Sequence, residues 1–282
     1  RKLKTPKALA AIVADFNGAY ELYPSTFVLG SAPVTVQPVP DSAVGTLTIA
    51  SQNTLHFFND VNDPGTADDC TIGTKDSCPD SAQFGIRLSK LSLQVRTVLK
   101  APAVVGVQEV ENLDTLQSLA SQIHVDDNSL TYTPYLVEGN DIGGIDVGFL
   151  VRNDVNVNAV TQIGNLTQTD DGCGGTPPCI LNDRPPLLLD ASFAGQRFAV
   201  LVIHNRSLSS GDTTRVQRKR LEQAQYVASI VQAWQTGTGV DVALTTPDAH
   251  VFLGASGETV PAADGGVPLI VVGDYNAYEF TD

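Results

Sequence analysis

Pro268-Leu269-Ile270-Val271-Val272-Gly273-Asp274-Tyr275-Asn276-Ala277 is the stretch on which the fold assignment turns. Its apolar run is too short for a helix and is bounded by Pro268 and Gly273, the pattern of a strand buried on both faces. Asp274 and Asn276 leave it two residues apart, and in an extended segment that spacing sends both side chains to one side. The same design recurs upstream. Val104-Val105-Gly106-Val107 is a buried strand that runs through Gln108 to Glu109, Leu201-Val202-Ile203 ends at His204, and Asn53 follows the β-rich residues 46–51. A single polar residue leaving a strand usually caps a turn or a helix. Four together at strand exits mark the place where sites form on α/β scaffolds.

Between these strands the chain supplies few helices. Phe84, Leu88, Leu91, Val95 and Val98 repeat at three-to-four spacing, so a helix is expected over 83–99, ended by Pro102. Asn112 can cap a second helix to about Ile123, with Leu113, Leu116 and Leu119 on one face. A long helix is expected over 214–234, and further strands over 131–137, 145–151, 155–163, 187–193 and 197–203. Many strands with few crossover helices suggest two packed sheets with helices outside, not one parallel doubly wound sheet. Residues 1–40 differ: a basic start, an aromatic stretch from Phe16 to Tyr23, and a Pro-rich run over 32–40. They are expected to be an N-terminal arm or the remnant of a small upstream β module, with the main domain over 41–282.

The 282 residues carry 17 Lys+Arg against 31 Asp+Glu, a net charge of −14. That excludes a polyanion binder working by bulk attraction, though not an enzyme that brings its own metal ions. With 42% hydrophobic and 17% charged residues the composition is globular. A chain of this size buries roughly three quarters of its extended surface, so a core needs no staples. The chain begins at Arg1 and has no Met, as a processed or trimmed chain would. No apolar run approaches the ~18 residues of a membrane helix. Four cysteines fall in two close pairs, Cys70/Cys78 and Cys173/Cys179. Local disulfides close the shortest loops, with zinc as the rival for spacings without a nearby histidine. Disulfides place the chain in an oxidising compartment, secreted or periplasmic.

Val107-Gln108-Glu109-Val110, Leu201-Val202-Ile203-His204 and Gly273-Asp274-Tyr275-Asn276-Ala277 resemble three ordered motifs of the endonuclease/exonuclease/phosphatase superfamily, the DNase I-like fold. Asn53 with Leu55, Phe57 and Phe58 resembles its first motif. The resemblance covers roughly residues 45–282 and implies a four-layer two-sheet α/β sandwich. Among relatives it is similar to secreted bacterial nucleases, which often carry a small β module upstream. It implies a Mg2+ site, with Mn2+ or Ca2+ as substitutes, at Asn53, Glu109, Asp274 and Asn276. His204, Asp274, Asn276 and Asp146 are the implied catalytic set, Asp146 orienting His204. Arg184 and Asn205 are the implied substrate contacts, and Cys173–Cys179 is similar to the small disulfide loop that precedes the Arg-bearing strand.

The implied chemistry is hydrolysis of phosphodiester bonds in DNA and, second, RNA. Attack at phosphorus builds negative charge on oxygen, which fixed positive charge must meet. The alternatives are a lipid- or inositol-phosphoesterase of the same superfamily and a catalytically incomplete nucleic-acid-binding fragment. The latter arises because family members continue past Gly-Asp-x-Asn to a further Asp and an Asp-His pair, so the domain is expected to be C-terminally incomplete at Asp282. Arg215, Arg218, Lys219 and Arg220 form a basic helix face, either solvated or beside a nucleic-acid backbone. Asp170 and Asp171 lie in a loop, with structural Ca2+ as the alternative, and His56 is placed near the first motif. Asn165 and Asn205 begin sequons, and neither is expected to be glycosylated in a bacterial protein. The oligomeric state is open, a monomer being the simplest case.

Overall fold

The computed structural model describes residues 4–16, 19–33, 37–63, 71–73, 77–207, 213–237 and 266–277. The chain divides into two compact units, Arg1–Val39 and Pro40–Asp282. The first is an antiparallel hairpin of β1 (Lys4–Phe16) and β2 (Ala19–Pro33), paired from Phe16–Ala19 at the turn to Lys4–Pro33. The site lies in the second.

That unit begins with β3 (Ile49–Phe57) and then α1 (Ser81–Leu93). Asp80 caps α1 by a reciprocal pair: its carboxylate accepts the Gln83 N–H at 2.8 Å, and the Gln83 side chain accepts the Asp80 N–H at 2.8 Å. The helix expected over 83–99 stops being regular at Leu93 and closes with a wider turn over Gln94–Val98, where the Leu99 N–H reaches Gln94 O at 2.9 Å. In this turn the Gln94 amide donates to Gln52 Oε1 at 2.6 Å. Next come β4 (Val104–Val110), α2 (Leu113–Asp126), β5 (Tyr132–Leu136) and β6 (Asp146–Arg152). Asn112 caps α2, as its sequence position suggests, by accepting the Thr115 N–H at 2.8 Å. The order of this sheet is β3-β4-β6-β5, with β3 and β4 parallel and the other pairs antiparallel.

A second sheet follows. It is built from β7 (Asn156–Gln162), then, past the short ladder of β8 (Gln168–Thr169) and β9 (Cys179–Ile180), β10 (Leu187–Phe193) and β11 (Gln196–His204). After α3 (Thr213–Thr236), β12 (Leu269–Asp274) completes it. The order is β12-β11-β10-β7, with β11 and β12 parallel.

Alternation along β11 shows why four layers form. Phe198, Val200 and Val202 face the first sheet, in one core with Val104, Val147, Phe149 and Val151. Ala199, Leu201 and Ile203 face the other way, against Tyr226, Ile230 and Trp234 of α3. On the far side of the first sheet, Val105, Val107 and Leu150 pack on Leu116, Leu119 and Ile123 of α2 and on Phe84 and Leu91 of α1. A strand apolar at every position therefore serves two cores, each buried large side chain contributing about 1.5–3 kcal/mol. The sheets approach closely at Gly106, where a Cβ would lie 2.8 Å from a Val272 methyl. The result is a two-sheet α/β sandwich with helices on both outer faces.

Cys173 and Cys179 form a disulfide, and among the described residues no cysteine is free. Cys78 is disulfide-bonded; Cys70, its expected partner, lies outside the described residues. No described helix is long and apolar enough to cross a membrane.

Candidate active site

The strand that carries Asn53 does not end there. β3 runs on to Phe57, and its register with β4 slips between Asn53 and Phe57, while β4 slips against β6 between Gln108 and Val110. Leu55 (φ 58°), His56 (φ 53°) and Glu109 (φ 64°) occupy the left-handed region at these bulges. Such residues persist only where their surroundings hold them, and bulges re-aim side chains. Here the holding is explicit. Thr54 Oγ1 donates to the carbonyls of Gln108 at 2.7 Å and Glu109 at 3.0 Å, Leu55 N–H donates to Asn53 Oδ1 at 2.8 Å, and Arg87 donates to the Leu55 carbonyl. His56 N–H donates to Glu109 Oε2 at 2.9 Å, and the exposed His56 ring lies 3.7 Å from the same oxygen.

The second sheet delivers its half by register. Parallel pairing sets His204 beside Asp274 at the ends of β11 and β12. Gly273 permits the approach: its φ is 142°, and a Cβ would sit 2.0 Å from the Ile203 carbonyl oxygen. Past the strand, Asn276 (φ 49°) closes a turn by donating its N–H to Asp274 Oδ1 at 2.8 Å.

The halves meet at Asn53. Its amide NH2 donates to Glu109 Oε1 at 2.9 Å and to Asp274 Oδ2 at 3.0 Å, bridging one sheet to the other. His204 Nε2 lies 3.8 Å from Glu109 Oε1 and 4.0 Å from Asp274 Oδ2. His204 is buried, and its Nδ1 has no hydrogen-bond partner among the described residues. Burial, reinforced by the Arg184 charge and opposed by Asp274 and Glu109, pulls its pKa down to about 4, so the ring is neutral at pH 7.

The other expected site residues take up positions around this centre. With its Oδ1 engaged by Leu55, Asn53 presents to the carboxylates a nitrogen, which spaces them and is no metal ligand in this orientation. Asn276 Nδ2 donates to the Asn205 carbonyl at 2.8 Å. Arg184, expected at a substrate phosphate, is buried instead and gives all three nitrogens to protein acceptors: His204 O at 3.3 Å, Asn205 O at 3.2 Å and the Asp141 carboxylate. Asp146, expected to orient His204, accepts the Gly139 N–H at 2.9 Å. Burial raises its pKa to about 7, against that hydrogen bond, with Glu138 and Asp141 adding repulsion. On the basic face of α3, the exposed Arg218 pairs with Asp171 at 3.2 Å, Lys219 pairs with Asp183 at 2.8 Å, and Arg220 donates to the Asn276 carbonyl. Of the two sequons, Asn205 is buried, while Asn165 is half-buried with Thr167 enclosed.

Thr54, Arg87, Asp141 and Arg220 were not among the residues singled out individually for the site from sequence. Asp141 stands in an Asp-x-Gly-Gly turn and Arg220 on a basic helix face, ordinary signals that say nothing of partners 43 and 56 residues away.

A family model described as the endonuclease/exonuclease/phosphatase family matches residues 48–240, more than half of the chain. The chain belongs to this family. No curated protein matches it in sequence. Among solved structures it is similar to TDP2 from Caenorhabditis elegans, with 17% identity over 71% of this chain and 44% of that one, TM-score 0.41. It is also similar to a β-hairpin deletion mutant of beta toxin from Staphylococcus aureus, with 15% identity over 84% and 69% and TM-score 0.49. A third is an endonuclease/exonuclease/phosphatase family protein from Bacteroides thetaiotaomicron, with 16% identity over 84% and 66% and TM-score 0.43. The chain thus spans less than half of the first of these.

Divalent metal ions are the family's cofactor, and the donors of this family member fit one. Ligand atoms of Glu109, His204 and Asp274 all lie within 4.8 Å of one another. Two carboxylates that close, joined by an amide donor and a neutral imidazole and with no Lys or Arg paired to them among the described residues, are the donor chemistry that suits a hard cation.

Proposed function

We propose that this family member is a secreted or periplasmic, divalent-metal-dependent nuclease that hydrolyses phosphodiester bonds of DNA and, second, RNA. The observation that carries the reading is the convergence of Glu109, Asp274 and His204 on one point between the two sheets. The Cys173–Cys179 disulfide supports the oxidising compartment.

Glu109 and Asp274 would hold the ion, Mg2+ by preference, with Mn2+ or Ca2+ as substitutes. When bound, the ion supplies positive charge at the phosphoryl oxygens and lowers the pKa of water. The chain's own residues do the rest. Asp274, one-third exposed at its side chain, orients the attacking water and accepts its proton. His204, kept neutral by burial, donates a hydrogen bond to a phosphoryl oxygen as charge develops there. Asn53 fixes the separation of the carboxylates, and Asn276 holds the Asp274 turn. Because His56 and Asp274 are accessible while His204 is buried, a substrate reaches the carboxylates from one side.

A panel of plasmid DNA, RNA, sphingomyelin and bis-p-nitrophenyl phosphate tests this. Cleavage of DNA and RNA in Mg2+, abolished by EDTA and by Glu109→Gln, is expected. Cleavage that persists in EDTA would overturn it, as would preferential turnover of sphingomyelin or binding of nucleic acid without turnover in any divalent ion.

A further inference from the structure

We propose that Arg184 is a positioning residue, braced by Asp141, whose guanidinium straps the main-chain carbonyls of His204 and Asn205 and so sets His204 against Asp274, with Arg220 fastening the opposite side. The proposal rests on the nuclease reading for its catalytic consequence. The strap itself stands on geometry.

Three observations converge. The side chains of Arg184 and Asp141 are only 7% and 9% exposed, so the pair is shut off from a substrate that must arrive from solvent. A guanidinium presents its donors in a rigid fork, and here the fork is filled: Nε on His204 O, Nη2 on Asn205 O, Nη1 on Asp141. Asp141 is itself fixed, its Oδ1 accepting the Gly143 N–H at 2.5 Å, which leaves Oδ2 for the arginine.

The Asn205 carbonyl is the joint. It accepts Arg184 Nη2 at 3.2 Å from one side and Asn276 Nδ2 at 2.8 Å from the other. The Asn205 N–H donates to the Asp274 carbonyl at 3.0 Å, and Arg220 takes the Asn276 carbonyl. His204 and Asp274 therefore hang from one hydrogen-bonded frame whose two cations come from distant segments. Regular sheet pairing ends at these residues. Beyond it, the exits of β11 and β12 are joined by the main-chain bond from Asn205 N–H to Asp274 O and by this side-chain frame. Lysine keeps the charge but offers no fork, so its three donors on one nitrogen do not match the spread of these three acceptors.

The test uses the full chain and Arg184→Lys, Asp141→Asn, Arg220→Lys and the double variant Asp141→Asn/Arg184→Lys. Steady-state kinetics on bis-p-nitrophenyl phosphate, inhibition by inorganic phosphate and hydrogen exchange over residues 201–207 are measured. Loss of positioning is expected to lower kcat by about tenfold or more while KM and phosphate inhibition move less than about twofold. Exchange over 201–207 should quicken in Arg184→Lys and Asp141→Asn alike, and the double variant should be no worse than Arg184→Lys alone. An unchanged kcat with raised KM and weakened phosphate inhibition in Arg184→Lys, with Asp141→Asn like the wild type, would make Arg184 a substrate contact and overturn the proposal. If the wild-type chain turns over no phosphodiester, the nuclease reading fails alone; exchange unchanged in both variants would overturn the strap regardless of activity.

Discussion

Glu109→Gln and Asp274→Asn, made singly and together, probe the feature on which the site depends, two carboxylates held close with no Lys or Arg between them among the described residues. Their facing atoms lie within 4.8 Å, and the side chains are 14% and 32% exposed. Coulomb's law at that separation gives about 3.5 kcal/mol of repulsion at an effective dielectric of ~20 and about 0.9 in bulk water. The partial exposure places the pair between these limits, near about 2 kcal/mol. His204 does not offset it, being neutral above about pH 4. Each single variant relieves the full repulsion while weakening its own hydrogen bonds, and the cycle cancels the latter. In EDTA the double variant should therefore be less stable than the sum of the singles by about 2 kcal/mol. Urea unfolding followed by the fluorescence of the one tryptophan, Trp234, buried under β11, measures it. At 10 mM Mg2+, an ion binding with a Kd of ~1 mM stabilises only the wild type, by about 1.4 kcal/mol, and the coupling should shrink by that amount. A coupling of zero or of opposite sign in EDTA would show that the carboxylates do not face each other. A coupling that Mg2+ leaves unchanged would show that they do not hold the ion.

Two further changes are informative. Asp146 has a raised folded pKa of about 7, so its contribution is present below its unfolded value near 3.8 and is lost as pH rises through 7. Asp146→Asn should accordingly gain on the wild type between pH 4 and pH 8, by at most about 4 kcal/mol, read as a pH-dependent shift in urea midpoint; an equal shift at both pH values would contradict the assignment. Gly273→Ala puts a Cβ 2.0 Å from the Ile203 carbonyl oxygen at a φ of 142°, so β12 must move. A loss of about 2 kcal/mol or more is expected, with kcat falling further than KM rises, and wild-type melting and kinetics would refute the close approach.

The core strands were legible because their burial is two-sided. Leu187–Phe193 forms over the residues its composition suggests, and the strand expected over 197–203 differs from β11 by one residue at each end. The helix over 83–99 was less so: the three-to-four repeat runs unbroken through Val95 and Val98, and the switch to a wider turn at Gln94 shows only once Gln52 of β3 is beside it. Asn53 and Glu109 were legible as candidate site residues but misplaced as strand ends. Periodicity reports which face a residue takes, and a bulge keeps the strand while changing the face.

What the sequence determined by itself is local: which runs are apolar enough to lie between two cores, which caps start the helices, and which polar residues those strands carry to one end. That Glu109, His204 and Asp274 are candidate site residues follows from residue type at such exits. What tertiary structure alone decided is which groups meet. Asn53 reaches Asp274 across 221 positions of chain, and Arg184 finds Asp141, His204 and Asn205. An arginine before a proline turn looks the same in sequence whether its guanidinium points to solvent or is walled in. Only the packing of two sheets sets which acceptors lie within its reach, and burial then makes it fill them.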